Sequence, residues 1–453
     1  MKKSAVKKLL AMVLMILIAL SLVSCGGGEA TEPETDTPPT TEESTPTDEE
    51  SSSPDEPASG DEITISFALW DEVQFPAFEK IAEKFESEHP GIKVDLQLTP
   101  WDQYWTKLDA SAEAGTAADI FWMNEYLPKY TEAGLIEPVG PLMDKEGIDK
   151  SQWVEAMVEL YSIDGELQTM PKGIDAVVVA YNKSIFDKYG VSYPEEGWTW
   201  DDLAAKGAEL RDAIKAEGGT EYPLGMELDS QPSYYQFMIQ NGVKIYTEDS
   251  NGFAEQGSID AFTDVVNLLD EEIMPDFKIL SDTKATDLFL SEKCAMIYVG
   301  SWKAAVLENA SFASNIGLVT MPKKEVNNNC AVGGITYALN ANSEHMDEAW
   351  ELIKYLGGEE SNKIQAEMGV DIPAFKSVQS SYNDGFTNLD PTAFVKQTEN
   401  SATYPNHPAM ANWSTDLEEI AGQIFSKQVT PEEGCTQISE LIQGYIDEYL
   451  AEQ

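Results

Sequence analysis

The sequence predicts an α/β protein built as two interleaved lobes. Three observations carry the prediction. From Asp61 onward, apolar strand-like runs alternate with amphipathic helical ones. A second alternation begins near Asp164-Gly165, and the 453 residues, 42% of them hydrophobic, suffice for two or three cores. With 80 acidic against 29 basic side chains the formal net charge is -51, which repels polyanions and argues against nucleic-acid binding. Three His and four Cys leave little room for a metal centre, and no cofactor is expected.

At the N-terminus Lys2, Lys3, Lys7 and Lys8 precede an apolar run from Leu9 to Val23. At about 1.5 Å per residue this run is short for a bilayer span and suits a signal-peptide core, with an uncleaved anchor as the alternative. Leu22-Val23-Ser24-Cys25, followed by three glycines, resembles the lipobox of bacterial lipoproteins. That resemblance implies a signal peptide at 1–24 and a diacylated, palmitate-bearing Cys25 as the mature N-terminus. The protein would then be lipid-anchored at the extracellular face of a cell membrane, as in a Gram-positive cell. Residues 26–60 hold eleven acids among Ser, Thr and Pro, with no basic or aromatic residue, and read as a disordered linker.

The folded part opens with DEITISFALW, a strand that alternates and then turns apolar, ending at Trp70-Asp71. Phe75 to His89 has helical spacing through Phe78, Ile81, Ala82 and Phe85, and Pro90-Gly91 stops it. Ile92 to Leu98 alternates as a second strand. Trp101 to Ala114 is a helix, and Asp119 to Met123 a buried strand leading into Asn124. This βαβαβ unit implies a parallel sheet, whose ligands bind beyond the carboxyl ends of the strands. In the second alternation Ala176 to Asn182 is a strand and Lys183 to Tyr189 a helix. Thr199 caps a further helix with Asp202 as its partner, and Ala295 to Gly300 is a strand ending at Ser301-Trp302. Ile316 to Thr320 and Thr336 to Leu339 are strands, His345 to Leu356 is an amphipathic helix, and the tail is mainly helical.

Several segments together resemble a known family. Asp119-Ile-Phe-Trp-Met is similar to its "PD(I/V)-aromatic" strand. Ile163-Asp-Gly-Glu-Leu-Gln-Thr-Met-Pro, followed by Val179-Ala-Tyr-Asn-Lys-Ser-Ile-Phe, resembles "DGKxYxxP … xYYNKDLF". Trp198-Thr-Trp-Asp-Asp-Leu, Met296 to Trp302 and Gly333-Gly334 ahead of Ala349-Trp350 follow in order. Thr169 and Ala180 depart from the usual Gly or Ala and Tyr. The pattern resembles the extracellular solute-binding proteins of family 1, the maltose-binding-protein-like carbohydrate-binding lipoproteins of bacterial ABC importers. The resemblance implies a type II-like periplasmic-binding-protein fold with a hinge and a ligand cleft. Lobe one would take 61–170 plus 330–375, and lobe two 171–329 plus 376–453 with the C-terminal helices. It further implies a non-catalytic, monomeric receptor that closes on a neutral carbohydrate and presents it to the permease subunits.

A sugar wants aromatic rings against its C–H faces and rigid hydrogen-bonding groups around its edge. Asp119 and Trp122 lead the candidates, with a cap and a core role as their alternatives. Trp70 and Asp71 share that sheet edge, and Asn124 and Glu125 either reach ligand or cap the next helix. Trp302 matches the position where the family sets a ring against the sugar, and Trp413 its late aromatic near the hinge. Of Tyr234 and Tyr235, one is expected in the cleft and the other in the core. Asp175 lies near the hinge as an acceptor, and Gly334, with Gly333, allows close backbone approach. Trp101, Trp105, Trp153 and Trp350 read as core. Cys294, Cys330 and Cys435 allow at most one intrachain disulfide. A surface glycosidase with paired carboxylates and a same-fold receptor for a polyamine or peptide remain the alternatives.

Overall fold

The computed structural model describes residues 62–324 and 326–452, so the signal peptide, Cys25 and the acidic linker lie outside the described residues. β1 (Ile63–Leu69) buries Ile65, Phe67 and Leu69 on one face. α1 (Phe75–Glu88) buries Ala77, Phe78, Ile81, Ala82 and Phe85, the stripe its spacing foretold, with a proline in the first turn. β2 (Ile92–Leu98) and β3 (Ile120–Met123) pair with β1 in parallel. Between them runs α2 (Trp101–Ala114), closed by Gly115 in the left-handed conformation at φ 68°.

β4 (Met170–Ile174) belongs to this same sheet. Its Pro171 and Gly173 read as punctuation in the sequence and hid it. The second sheet contains β5 (Val177–Asn182), β6 (Tyr222–Gly225), β7 (Cys294–Gly300) and β8 (Ile316–Val319), in the order β8-β5-β7-β6. Helices α3 (Trp200–Ala216) and α4 (Gln256–Asp270) belong to this half, and Thr199 and Asp202 form the expected capping box. β9 (Cys330–Val332) precedes β10 (Gly334–Asn340), which returns to the first sheet and lies between β3 and β4, antiparallel to both. After α5 (Met346–Gly357) and α6 (Glu359–Glu367), β11 (Ile372–Pro373) completes the first sheet as β11-β4-β10-β3-β1-β2, with Ile136–Glu137 also paired to β10. β12 (Ser401–Thr403) pairs with β9, and the tail helices α7 (Met410–Phe425) and α8 (Pro431–Glu452) pack on each other and on α4.

The strands shift two of the lobe limits drawn from sequence. β4 puts the first crossing at Asp175-Ala176, and the 3-10 run Lys376–Gly385 packs on α6 and β11, so the last crossing falls after it. The return crossing is Gly333. Cys294, Cys330 and Cys435 are free and buried, and burial pushes each thiol up to about 12, leaving them inert. Among the described residues no helix is long and apolar enough to cross a membrane.

Candidate functional site

Because β1, β2 and β3 run parallel, their carboxyl ends meet at one edge of the first sheet. Trp70, half-buried just beyond β1, stands there with its ring 5.3 Å from Trp101, 5.0 Å from Tyr104 and 4.9 Å from Trp122. Trp122 is fully buried beneath it, with the Lys172 ammonium 5.0 Å from its ring centroid. Lys172 is itself buried, donating to Gln74 Oε1 at 2.9 Å and paired with Asp371. Asp71 and Asn124 serve turns: Asp71 Oδ1 accepts from Val73 N–H at 2.8 Å and Asn124 Oδ1 from Tyr126 N–H at 3.0 Å.

Glu125 follows β3 at this edge and approaches Asp175 at the first crossing. Burial, with the Asp175 charge adding, raises the Glu125 carboxyl to about 7. Asp175 is raised to about 6, again by burial, although its Oδ1 accepts from Gly333 N–H and Gln231 Nε2–H, each at 2.9 Å. Asp175 N–H in turn donates to Gly333 O at 3.2 Å, so the two crossings are clasped to each other by one residue pair. Tyr126 lies beside Ser414 of the tail, and burial and then Glu125 raise its phenol to about 12. Asp229 is open to solvent yet closely walled by protein. Its carboxyl is held well above the usual range by desolvation, with Glu227 and Glu418 adding their charges. Burial also raises Glu418. Lys172 is already committed to Asp371, so this group of carboxylates has little local cation to offset it.

From the second sheet, Ser301 ties β7 to the crossing: its N–H donates to Ala176 O at 2.9 Å and its Oγ accepts from Ala176 N–H at 3.2 Å. Trp302 follows, half-buried, with its ring folded over Gly300, where a Cβ would stand 2.2 Å from ring atoms. That glycine is therefore required by the ring.

Other sequence candidates lie elsewhere. Asp119 precedes β3 and so sits at the amino end of the strand, away from the carboxyl edge. It accepts from Ser66 N–H at 2.9 Å, Ser66 Oγ–H at 2.6 Å and Ser343 Oγ–H at 2.6 Å. These donors hold its carboxyl below the ordinary value despite partial burial. Trp413 is fully buried against Tyr246, His407 and Tyr445. Tyr235 is core, its hydroxyl 2.6 Å from that of Tyr246. Tyr234 is buried too and stacks on Phe262, but its hydroxyl has no protein partner and feels the charges of Asp229 and Glu418. Gly334 is demanded by packing: a Cβ there would lie 2.0 Å from Gly173 O, and its own carbonyl accepts from Tyr161 Oη–H at 2.6 Å. Of the rings read as core, Trp153 and Trp350 are buried, Trp105 is half-buried, and Trp101 is 45% exposed.

Sequence reasoning missed Tyr126, Gln231, Tyr404 and Glu418. Tyr126 is next to Glu125, and Gln231 lies in the Asp229-Ser-Gln-Pro turn, so both were within reach. Tyr404, whose hydroxyl is 3.2 Å from Ser230 Oγ, and Glu418 come from the tail and carry no local signal. Among the described residues no His, Cys, Asp and Glu cluster has the arrangement of a metal site.

Comparison with known proteins agrees with this layout. The chain is 26% identical to a putative binding protein of Brucella abortus over 306 residues, 66% of this chain and 72% of that one. It is 22% identical to the galactooligosaccharide-binding protein of Bacillus subtilis over 97% of both chains. An ABC substrate-binding protein from Listeria monocytogenes, solved in complex with cycloalternan, shares the fold at a TM-score of 0.78 and 22% identity, covering 86% of this chain and all of that one. The GacH receptor of Streptomyces glaucescens does so at 0.75 and 18%, covering 85% and 98%. Residues 70–363, which run from Trp70 through both crossings into α6, match the family model of the bacterial extracellular solute-binding proteins, and to that family the chain belongs.

Proposed function

We propose that the chain captures a neutral mono- or oligosaccharide between its lobes and delivers it to the permease of an ABC importer. One observation carries the reading: rings and hydrogen-bonding groups from both sheets converge on the clasped crossings. Trp70, Glu125 and Tyr126 come from the first sheet, Trp302, Gln231 and Asp229 from the second half, and Asp175 from between them. The names of relatives support a saccharide, since they include galactooligosaccharide- and maltotriose-binding proteins. A ligand touching both sides favours the closed state by its differential affinity, and that shift is the signal a permease reads. Anchoring through a lipidated Cys25 belongs to the same proposal: two acyl chains hold a protein at a membrane without a spanning helix.

The poorly offset carboxylates at Glu125, Asp175, Asp229 and Glu418 favour a second reading, a cationic solute such as a polyamine. A thermal-shift screen of mono- and oligosaccharides, polyamines and peptides separates the two. Stabilisation by sugars alone is expected; silence from every sugar rejects the leading reading. Labelled oligosaccharide should be recovered intact after binding, whereas cleavage products would indicate a glycosidase. Trp302→Ala should weaken the sugar found by more than tenfold in calorimetry while the melting temperature holds. Cys25→Ser should abolish lipid labelling in cells and leave soluble-domain affinity as it was.

A further inference from the structure

The carboxyl edge of the first sheet continues outward from Glu125 and Tyr126 in a row of aromatic rings. Tyr126 lies 4.9 Å from Trp105, and Trp105 lies 5.5 Å from Trp101, with Trp70 at 5.7 Å and 5.3 Å from the two indoles. The row follows the strand order from β3 past β1 to the edge strand β2, two strand spacings or about 10 Å. Its outer end is open. Five large hydrophobic side chains are exposed among the described residues, and three of them, Val73 at 44%, Leu98 at 37% and Trp101 at 45%, belong to the loops and helix start at this edge. Single exposed apolar residues are ordinary; three gathered around a tryptophan, in line with a candidate site, are a surface kept uncovered. Beneath the row, the Trp105 indole N–H is shielded from solvent and has no protein partner.

We infer that Trp101, with Trp70 and Trp105, forms an outer subsite for the further units of an extended oligosaccharide whose inner unit sits at Glu125 and Asp175. The inference rests on the saccharide reading above and gives it a chain length. Two features favour this occupant over a protein partner. The patch is continuous, ring to ring, with the acidic group inside the cleft. Its width is that of a single file of rings, too narrow to reach the area a stable protein interface buries. Indole faces suit the C–H faces of pyranoses in series, and no cation stands in the row to select a charged unit.

Calorimetry on the folded protein tests this with two ladders, maltodextrins and galacto-oligosaccharides of one to five units, using wild type, Trp101→Ala and Trp101→Phe. Wild-type affinity should climb beyond the disaccharide on the ladder that binds. The ratio of wild-type to Trp101→Ala affinity should grow at least tenfold from the shortest to the longest member, and Trp101→Phe should restore most of it. A ratio constant with length, or wild-type affinity flat along the ladder, overturns the subsite while leaving the saccharide reading in place. Failure of both ladders to bind at all overturns that reading and the subsite with it. A dimer in sedimentation that Trp101→Ala disperses would assign the patch to a second copy and overturn the inference.

Discussion

Asp175 and Asp119 show how neighbours set the behaviour of one residue type. Asp119 accepts three hydrogen bonds from two serines and keeps a carboxyl below its ordinary value. Asp175 has two donors, yet burial and a like-charged setting raise it to about 6, with Glu125 beside it at about 7. For Glu125 the folded state binds its proton more tightly than the unfolded chain, where 4.5 is the ordinary value. Its contribution to stability is therefore full below 4.5 and lost as pH rises through about 7. Glu125→Gln should gain on the order of 2 kcal/mol over wild type at pH 8, a gain that fades as pH falls towards 4.5. Thermal melts across that range check it; equal pH profiles would show that Glu125 is not held protonated. Sequence could bring Asp175 and Glu125 to the list but not rank them above Asp119. The "PD-aromatic" pattern marks a strand, and only the direction of that strand says which end faces the ligand.

At the scale of the element, β10 is the strand on which the first sheet turns. It takes β3 on one side and β4 on the other, with a register shift between Ile335 and Thr336. Its two flanking glycines separate by function. At Gly334 a Cβ would press on Gly173 O at 2.0 Å and on Met157, whereas at Gly333 the nearest side-chain atom is 3.6 Å away. Gly334→Ala should cost more than about 2 kcal/mol, as forced overpacking does. Gly333→Ala should melt within a few degrees of wild type, and equal losses at both positions would contradict the packing account. Elements with a plain period were legible: the stripe of α1, the alternation of β1 and the box at Thr199 each follow from a few neighbouring residues. β4 was not, because Met170-Pro-Lys-Gly-Ile174 has strand geometry only through its pairing with β10, far along the chain. Trp101 failed for a related reason. Helical spacing puts it in line with Trp105 and Leu108, but the helix starts at the outermost strand, where nothing remains to cover its first turn.

Over the whole molecule, the chain enters the second half at Asp175, returns at Gly333 and leaves again after Gly385. The two lobes are therefore not consecutive pieces of sequence. A fragment of residues 62–332 retains every strand of the second sheet and lacks the middle of the first. It should melt without the single cooperative transition expected of residues 62–452, and denaturant titration followed by circular dichroism reads the difference. A cooperative transition in the fragment would mean that the crossings divide the chain more cleanly than the sheets do. The acidity also belongs to this scale: most of the 80 acids lie in the folded part. They make a solvated surface, while a few around the crossings decide what can approach.

The late position of β10 has a consequence for how the protein is made. A chain emerging from the ribosome presents β1, β2 and β3 long before the strand that must lie beside β3 exists. Until then the sheet has an open side with unpaired backbone groups. Contacts so distant along the chain also form slowly, because a long loop must close first. For a polypeptide proposed to be threaded across a membrane before it folds, this delay is useful. The order of synthesis keeps the first lobe from closing until most of the chain has been translated.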